Sequence, residues 1–341
     1  MKKIRHFLRN HISIKTQSSR SAFTMLEIVF VILITGLVSV AGGKAIVQIL
    51  QNYTLQKDFA RLEMESTSAI RQISRFLQNS VWDSIATTAP GNNNACNNGG
   101  SNSMVAISNI SSAQQGTISK ANSRILCFIE KNMDAINGRF VSSYNSNIPY
   151  FSGFIDLDLS GLDNKNKTLI ATQFDSDAIR DLESLVGTTN LAIYFPFVNV
   201  GTSVLAYDKY YANQAKAIFK LDYASKGFQV SDASSNTSID KEYLALASSP
   251  IQISDVAVMV NPIASYLTVE DGSDTTYQKG DLVISRNTNG NYTKSIIARN
   301  LSNLHLWTEN SSSLIRIRVC FEPSVAKSIM DEFCKEGVIM Q

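Results

Sequence analysis

Phe23-Thr24-Met25-Leu26-Glu27-Ile28-Val29-Phe30-Val31-Ile32-Leu33-Ile34-Thr35-Gly36-Leu37-Val38-Ser39-Val40-Ala41-Gly42-Gly43 is the stretch on which the reading of this chain turns. It carries a single ionisable side chain, Glu27. Its length matches the roughly 20 apolar residues that a helix needs to cross a ~30 Å hydrocarbon layer. A carboxylate inside such a run is costly and marks a functional position whose partner has to be found. No amine lies inside the segment. A cut between Ala22 and Phe23 would create one, four residues from Glu27, and positions four apart share a helix face.

Upstream, residues 1–22 hold Lys2, Lys3, Arg5, Arg9, Lys15 and Arg20 and no acid. Such a basic leader stays in the cytoplasm, so the C-terminal bulk is expected on the outer side of the inner membrane, in the periplasm, behind a single span. The full chain of 341 residues has a formal charge of +2, but without the six leader cations 25 Lys+Arg face 29 Asp+Glu, a net −4. An anionic chain is poorly suited to hold nucleic acid through its bulk charge, and no direct nucleic-acid partner is expected. At 44% hydrophobic residues the exported part has enough apolar material for a sizeable core.

Downstream, Leu62, Ser66, Ala69, Ile73 and Phe76 step by four and three, the mark of one face of an amphipathic helix. Lys57, Asp58, Arg61, Glu63, Glu65, Arg71 and Arg75 are assigned to the remaining faces, and no proline interrupts before Pro90. The expectation is one helix from 23 to about 80, softened at Gly36 and Gly42-Gly43, since glycine costs about 1 kcal/mol in a helix interior. An Asn/Gly-rich loop follows over 90–103. Strand patterns, separated by Gly, Asn, Asp and Ser clusters, then run over 104–110, 124–129, 139–141, 150–159, 168–174, 191–198, 215–223, 228–230 and 251–260. A short helix over 178–186 is capped by Asp175-Ser176-Asp177. Runs 282–286 and 292–298 form a hairpin around 287–290; 300–307 and a last strand over 314–321 complete the chain, with 333–341 as a tail. The division expected is a leader over 1–22, a transmembrane and spine helix over 23–80, and a β-rich domain over 81–341.

The four cysteines, Cys96, Cys127, Cys320 and Cys334, all lie on the exported side. Four allow three pairings, and the sequence does not choose among them. Nearest-neighbour pairing, Cys96 with Cys127 and Cys320 with Cys334, is preferred because both bonds then close short loops. No CxxC pair is present, and an oxidising compartment favours disulfides over metal-bound thiolates.

Little in the chain supports catalysis. His6 and His11 lie in the leader, and His305 alone, within Leu304-His305-Leu306-Trp307, reads as a strand residue. No serine triad, histidine zinc site or phosphate-binding P-loop can be assembled. Asp156, Asp158 and Asp163 offer oxygen atoms, but their spacing is not that of an EF-hand, so they read as a solvated turn. Arg316 and Arg318 read as the exposed face of a half-buried strand. No enzyme activity, cofactor or metal is expected.

The residues Ala22-Phe23-Thr24-Met25-Leu26-Glu27 behind a basic leader resemble the class III signal of type IV prepilins and type II secretion pseudopilins. The family usually has Gly before the cut, where this chain has Ala22, another small residue. The resemblance implies a pilin-like α+β fold, with a long N-terminal helix packed on an antiparallel β-sheet domain. It implies cleavage by a membrane prepilin peptidase between Ala22 and Phe23, N-methylation of Phe23, and a role for Glu27 in assembly. The implied partners are other minor and major pilins or pseudopilins, an inner-membrane assembly platform and membrane lipid. The order of Leu282-Val283-Ile284-Ser285-Arg286, Ile297-Ala298-Arg299-Asn300-Leu301 through Trp307, and the alternating 314–321 is similar to J-type minor pseudopilins and W-type minor pilins. Type IV pili, type II secretion and competence for DNA uptake all use such subunits. The rival reading is a membrane-anchored periplasmic binding or adhesion module, which accounts for the apolar length but leaves Glu27 unexplained. A secretory signal peptide would carry its small-residue cleavage site after the apolar core, and none follows here. Replacing Ala22 by a bulky residue is expected to block cleavage, and replacing it by Gly to preserve or speed it. Pulse-labelling with gel mobility reads this out, and unchanged processing of the bulky variant would remove the class III assignment.

Overall fold

In the computed structural model the apolar run and the amphipathic stripe belong to one helix, α1 (Met25–Gln78). The helix passes unbroken through Gly36, Gly42 and Gly43, at each of which an added Cβ would meet nothing within 4 Å. The softening expected there is therefore not seen; the intact i to i−4 ladder outweighs the glycine penalty. The structure describes residues 24–88, 96, 104–112, 116–119, 121, 124–141, 146–148, 162–163, 168–171, 180–182, 184, 191–194, 196, 218–224, 227–232, 258–261, 264–288, 291–309, 314–325, 327 and 329–340. The chain divides inside α1 into two compact units, Met1–Gln56 and Lys57–Gln341. Within the first, every residue of 24–54 is exposed. By length and composition α1 is able to cross a membrane.

In the second unit the helix buries Asp58, Leu62, Ser66, Ala69, Ile73 and Leu77, spaced by four and three as a single stripe. Two positions differ from the sequence expectation. Leu77, not Phe76, ends the stripe, while Phe76 packs half-buried beside it with the Arg286 guanidinium 4.7 Å from its ring centre. Asp58, assigned by its charge to the solvent side, opens the stripe at 4% exposure.

The sheets are antiparallel throughout. Their strands are β1 (Ala86–Thr88), β2 (Met104–Ala106), β3 (Thr117–Ser119), β4 (Ile125–Phe128), β5 (Arg139–Val141), β6 (Ser146–Ile148), β7 (Leu162–Asp163), β8 (Thr168–Ala171), β9 (Ala192–Tyr194) and β10 (Ile218–Ala224). They continue as β11 (Gly227–Asp232), β12 (Val258–Val260), β13 (Ser265–Val269), β14 (Leu282–Thr288), β15 (Asn291–Ala298), β16 (Leu301–Thr308), β17 (Leu314–Phe321) and β18 (Phe333–Met340). The first sheet has the order β15-β14-β13-β4-β1-β2, the second β12-β9-β10-β11-β8-β7 and the third β18-β17-β16-β3, while β5 and β6 pair alone. A short helix, α2 (Met133–Asn137), follows β4; the Asn132 side chain accepts from the Ala135 N–H at its start, and Gly138 closes it at φ 70°.

One core joins three elements. Leu62, Ala69, Ile73 and Leu77 of α1 pack with Leu126, Phe128, Leu267 and Ile284 of the first sheet, and with Leu304, Leu306, Ile315, Ile317 and Ile339 of the third. Burial of a single Leu or Ile side chain of this kind stabilises by roughly 1.5–3 kcal/mol. The opposite face of the first sheet is buried too, by a second cluster of Ala86, Ile125, Cys127, Ile129, Ala192 and Val260 that reaches the second sheet. That is why β4 is buried at all four positions and reads as a continuous apolar run. Past β4, Glu130 bridges to Ser80 and Lys131 to Val260, so this segment links the end of α1 to β12.

The α+β layout expected from the sequence is the one observed, with local differences. Of 104–110, only the first three residues are strand, and Ile107–Asn109 forms a 3-10 turn. The helix expected over 178–186 is helical at 180–182 and 184. Run 150–159 lies outside the described residues. β13, central in its sheet between β4 and β14, has no counterpart among the expected strands. The tail expected at 333–341 is instead β18, paired with β17 from Leu314↔Met340 to Phe321↔Phe333.

Two glycines mark close approaches. A Cβ at Gly337 of β18 would come 2.5 Å from Ile70 Cγ2 of α1, and one at Gly116 would come 1.6 Å from the Leu306 carbonyl oxygen. The Leu306 backbone sits inside the third sheet and has no room to retreat. Gly116→Ala is expected to destabilise the domain by more than about 2 kcal/mol through overpacking against backbone. In contrast, Gly36→Ala, in open space on a helix, is expected to leave the melting temperature of the domain unchanged or to raise it. Thermal melts of the two variants make the comparison.

Candidate functional site

The N-terminal site is laid down by the start of α1. Thr24 O accepts from the Glu27 N–H at 2.9 Å and from the Ile28 N–H at 3.3 Å, which places Glu27 in the first helical turn. A carboxylate there faces the partial positive charge of the helix N-terminus, which favours an anion. Glu27 is exposed, as are all its neighbours to residue 54. Ala22 and Phe23 lie outside the described residues.

A second polar site, invisible in the sequence, fastens the other half of the helix. Asp58 Oδ1 accepts from Ser324 Oγ at 2.8 Å and from Arg61 Nη2 at 2.9 Å, and its Oδ2 accepts from the Val325 N–H at 2.8 Å. Arg61 also donates to Ser324 Oγ at 3.0 Å. A buried carboxylate is tolerated when its oxygens are filled in this way. Asp58 thus ties the helix to the segment that follows β17. One turn on, Lys335 of β18 donates to Glu63 and to Thr67 Oγ1 of the helix. No signal local to Asp58 could have revealed its role, because Ser324 and Val325 lie at the far end of the chain.

The cysteines pair as Cys96–Cys127 and Cys320–Cys334, with Cα separations of 5.9 and 4.1 Å. The first bond holds the loop at residue 96 onto β4 within the second cluster. The second joins residues directly opposite on β17 and β18. Loops of 31 and 14 residues are worth roughly 3–4 kcal/mol each on the chain-entropy estimate. Glu332 brings a carboxylate oxygen within 4.8 Å of the Cys320 and Cys334 sulfurs. Those sulfurs are bonded to each other, so they are not thiolates able to ligate a metal.

Of the remaining candidates, His305, Arg316 and Arg318 make side-chain contacts within the domain. His305 sits on β16 with Nδ1 2.8 Å from Thr117 Oγ1 of β3. Arg316 pairs with Glu309 at 2.7 Å, and Arg318 pairs with Glu336 and lies over the Trp307 ring at 5.7 Å. Asp163 is the end of β7, and Asp156 and Asp158 lie outside the described residues. The loop between β13 and β14 is pinned by Lys294, whose Nζ is 3.2 Å from Glu270 and 3.1 Å from Asp274. Burial pulls the Lys294 ammonium down, but the hydrogen bonds to Asp274 and Glu270 outweigh it and raise its pKa. The Asp274 carboxyl is held below its ordinary value, first by the Thr276 N–H and then by Lys294.

Compared with protein-family models, curated proteins and solved structures, the chain matches none of them. Asp58→Ala is expected to cost about 1–3 kcal/mol, because the Val325 N–H and Arg61 lose their acceptor in a half-buried place. Asp58→Asn, which keeps one acceptor oxygen, is expected to cost less. Urea unfolding of the two variants orders them.

Proposed function

We propose that this chain is a minor pilin or pseudopilin, cut by a prepilin peptidase before Phe23 and assembled at or near the tip of a type IV pilus or a type II secretion-like pseudopilus. The observation that carries the reading is the division of labour along α1. Residues 24–54 are exposed and predominantly apolar, with Glu27 in the first turn, while a stripe from Asp58 to Leu77 is buried against sheets of the same chain. A soluble helix would not leave such a surface open, and a plain anchor has no use for the acid.

The role of the acid follows from charge. In the bilayer, Glu27 stands near one end of the span. Cleavage frees the Phe23 ammonium four residues away, and the two neutralise each other when the helix leaves lipid to stack among other helices. A matched buried pair is tolerated, whereas a broken one costs several kcal/mol. The mature chain, Phe23 to Gln341, carries a bulky head, which fits a tip or an initiation complex better than a repeating shaft. The inner-membrane platform and the other pilins are its partners, and its C-terminal domain faces the periplasm.

Mass spectrometry of the mature N-terminus tests the reading: a methylated Phe23 supports it, and an intact Met1 makes the chain an anchored binding or adhesion module instead. Glu27→Ala is expected to remain inserted and to be cut normally, since removing an acid from an apolar span favours insertion. What it is expected to lose is co-purification with partner pilins and filament output. Wild-type assembly by this variant would show that the acid is incidental.

A further inference from the structure

The two disulfides differ in what surrounds them. Cys96 and Cys127 are buried at 3% and 0% exposure, and β4, which carries Cys127, lies between β13 and β1 in the interior of its sheet. In the other bond Cys320 is buried at 1% exposure, but Cys334 is exposed. Cys334 stands on β18, the outer strand of the third sheet, so no further strand of that sheet lies beyond it. Its neighbours Lys335 and Gly337 alternate with it and approach α1, so Cys334 belongs to the face that α1 leaves open. With the domain folded, a thiolate in solvent reaches one sulfur of the second bond and neither sulfur of the first.

We propose that Cys320–Cys334 is a thiol–disulfide exchange site, opened in the folded protein by a partner dithiol of the CxxC oxidoreductase class. One thiolate of the dithiol attacks Cys334 Sγ and bonds to it. The Cys320–Cys334 bond breaks, and its electron pair leaves on Cys320 Sγ, which takes up a proton. The second thiol of the partner then attacks the mixed disulfide, which frees Cys334 as a thiol and leaves the partner with its own disulfide. Two electrons and two protons pass from the dithiol to this chain, and the reverse sequence closes the bond again.

The surroundings of the bond suit an exchange that can be reversed. Backbone pairing of β17 with β18 runs from Leu314↔Met340 to Phe321↔Phe333, on both sides of the cysteines, so the two stay opposite each other when the bond is open. Lys335 goes on holding Glu63 and Thr67 of α1. Beside the exposed sulfur, Glu332 places Oε2 3.9 Å from Cys334 Sγ, and its Oε1 accepts from Asn303 Nδ2 at 2.9 Å. An anion there opposes the arrival of a thiolate in the first step and the departure of Cys334 as a thiolate in the second, so Glu332 slows both.

The test uses the full-length protein in detergent. Dithiothreitol is added without denaturant, samples are quenched with acid at intervals, and the open thiols are alkylated after unfolding and located by peptide mass. Cys320 and Cys334 are expected to open at least about tenfold sooner than Cys96 and Cys127, while the near-ultraviolet circular dichroism stays native. Opening of both bonds together, opening of Cys96–Cys127 first, or no opening short of unfolding overturns the proposal. A CxxC oxidoreductase whose second cysteine is replaced by serine cannot complete the second step, and it is expected to be trapped on Cys334. Trapping on any other cysteine, or none at all, overturns the assignment of the attacked sulfur. Glu332→Gln is expected to shorten the half-time of opening about threefold, and an unchanged half-time overturns the role given to that carboxylate.

Discussion

Burial of one stripe on α1 is the interaction on which the folded domain depends. Leu62, Ala69, Ile73 and Leu77 are the surface that the first and third sheets share. Ile85, Ile107 and Ile110 of the connecting segments join the same cluster. The stripe even accommodates Ser66, whose hydroxyl returns its hydrogen bond to Glu63 O at 3.0 Å and so leaves no polar atom unsatisfied. Apolar burial sets which face turns inward, and the polar contacts then fix position along the axis. Asp58 holds the segment after β17, Lys335 reaches Glu63 and Thr67, and Arg286 covers Phe76. Non-directional burial alone would permit the helix to slide by a turn.

The elements legible in the sequence are those whose pattern is complete within their own residues. α1 shows an apolar run and then a 3.6-residue stripe; β14, β15 and β17 show alternation and turn residues. β18 is hidden because two of its four inward positions, between Phe333 and Ile339, are Lys335 and Gly337, which do not read as core. They suit the strand only because Glu63 takes the ammonium and Ile70 fills the space over the glycine. β13 alternates in burial and is rich in strand formers, but it is five residues long and lies before an acidic loop, and its central place comes from pairing with β4 and β14.

Of the candidate site, Glu27 is legible because its context is the anomaly: a lone acid in an apolar run needs no structure to be noticed. Asp58 is the opposite case. Residue type places an aspartate on the surface by default, and only a partner far along the chain makes its burial tolerable. The two acids also differ in what fills them. The oxygens of Asp58 are satisfied by its own domain, whereas Glu27 stands on an exposed and largely apolar surface.

That contrast bears on what decides association. Seventeen large apolar side chains from Met25 to Tyr53 are exposed. At roughly 1.5–3 kcal/mol each on burial they exceed the ~5–15 kcal/mol that holds a typical domain together. Water is a poor surrounding for such a surface, and lipid or other apolar helices are the kinds of cover that suit it. Yet lipid and helix are about equally apolar, so moving from one to the other gains little from the hydrophobic effect. Apolar area therefore keeps α1 out of water without selecting a partner or a register. Selection falls to the few groups that distinguish the two surroundings. On this surface the ionisable ones are the Glu27 carboxylate in the first turn and the Lys44 ammonium further along, and burial without a partner is costly for either.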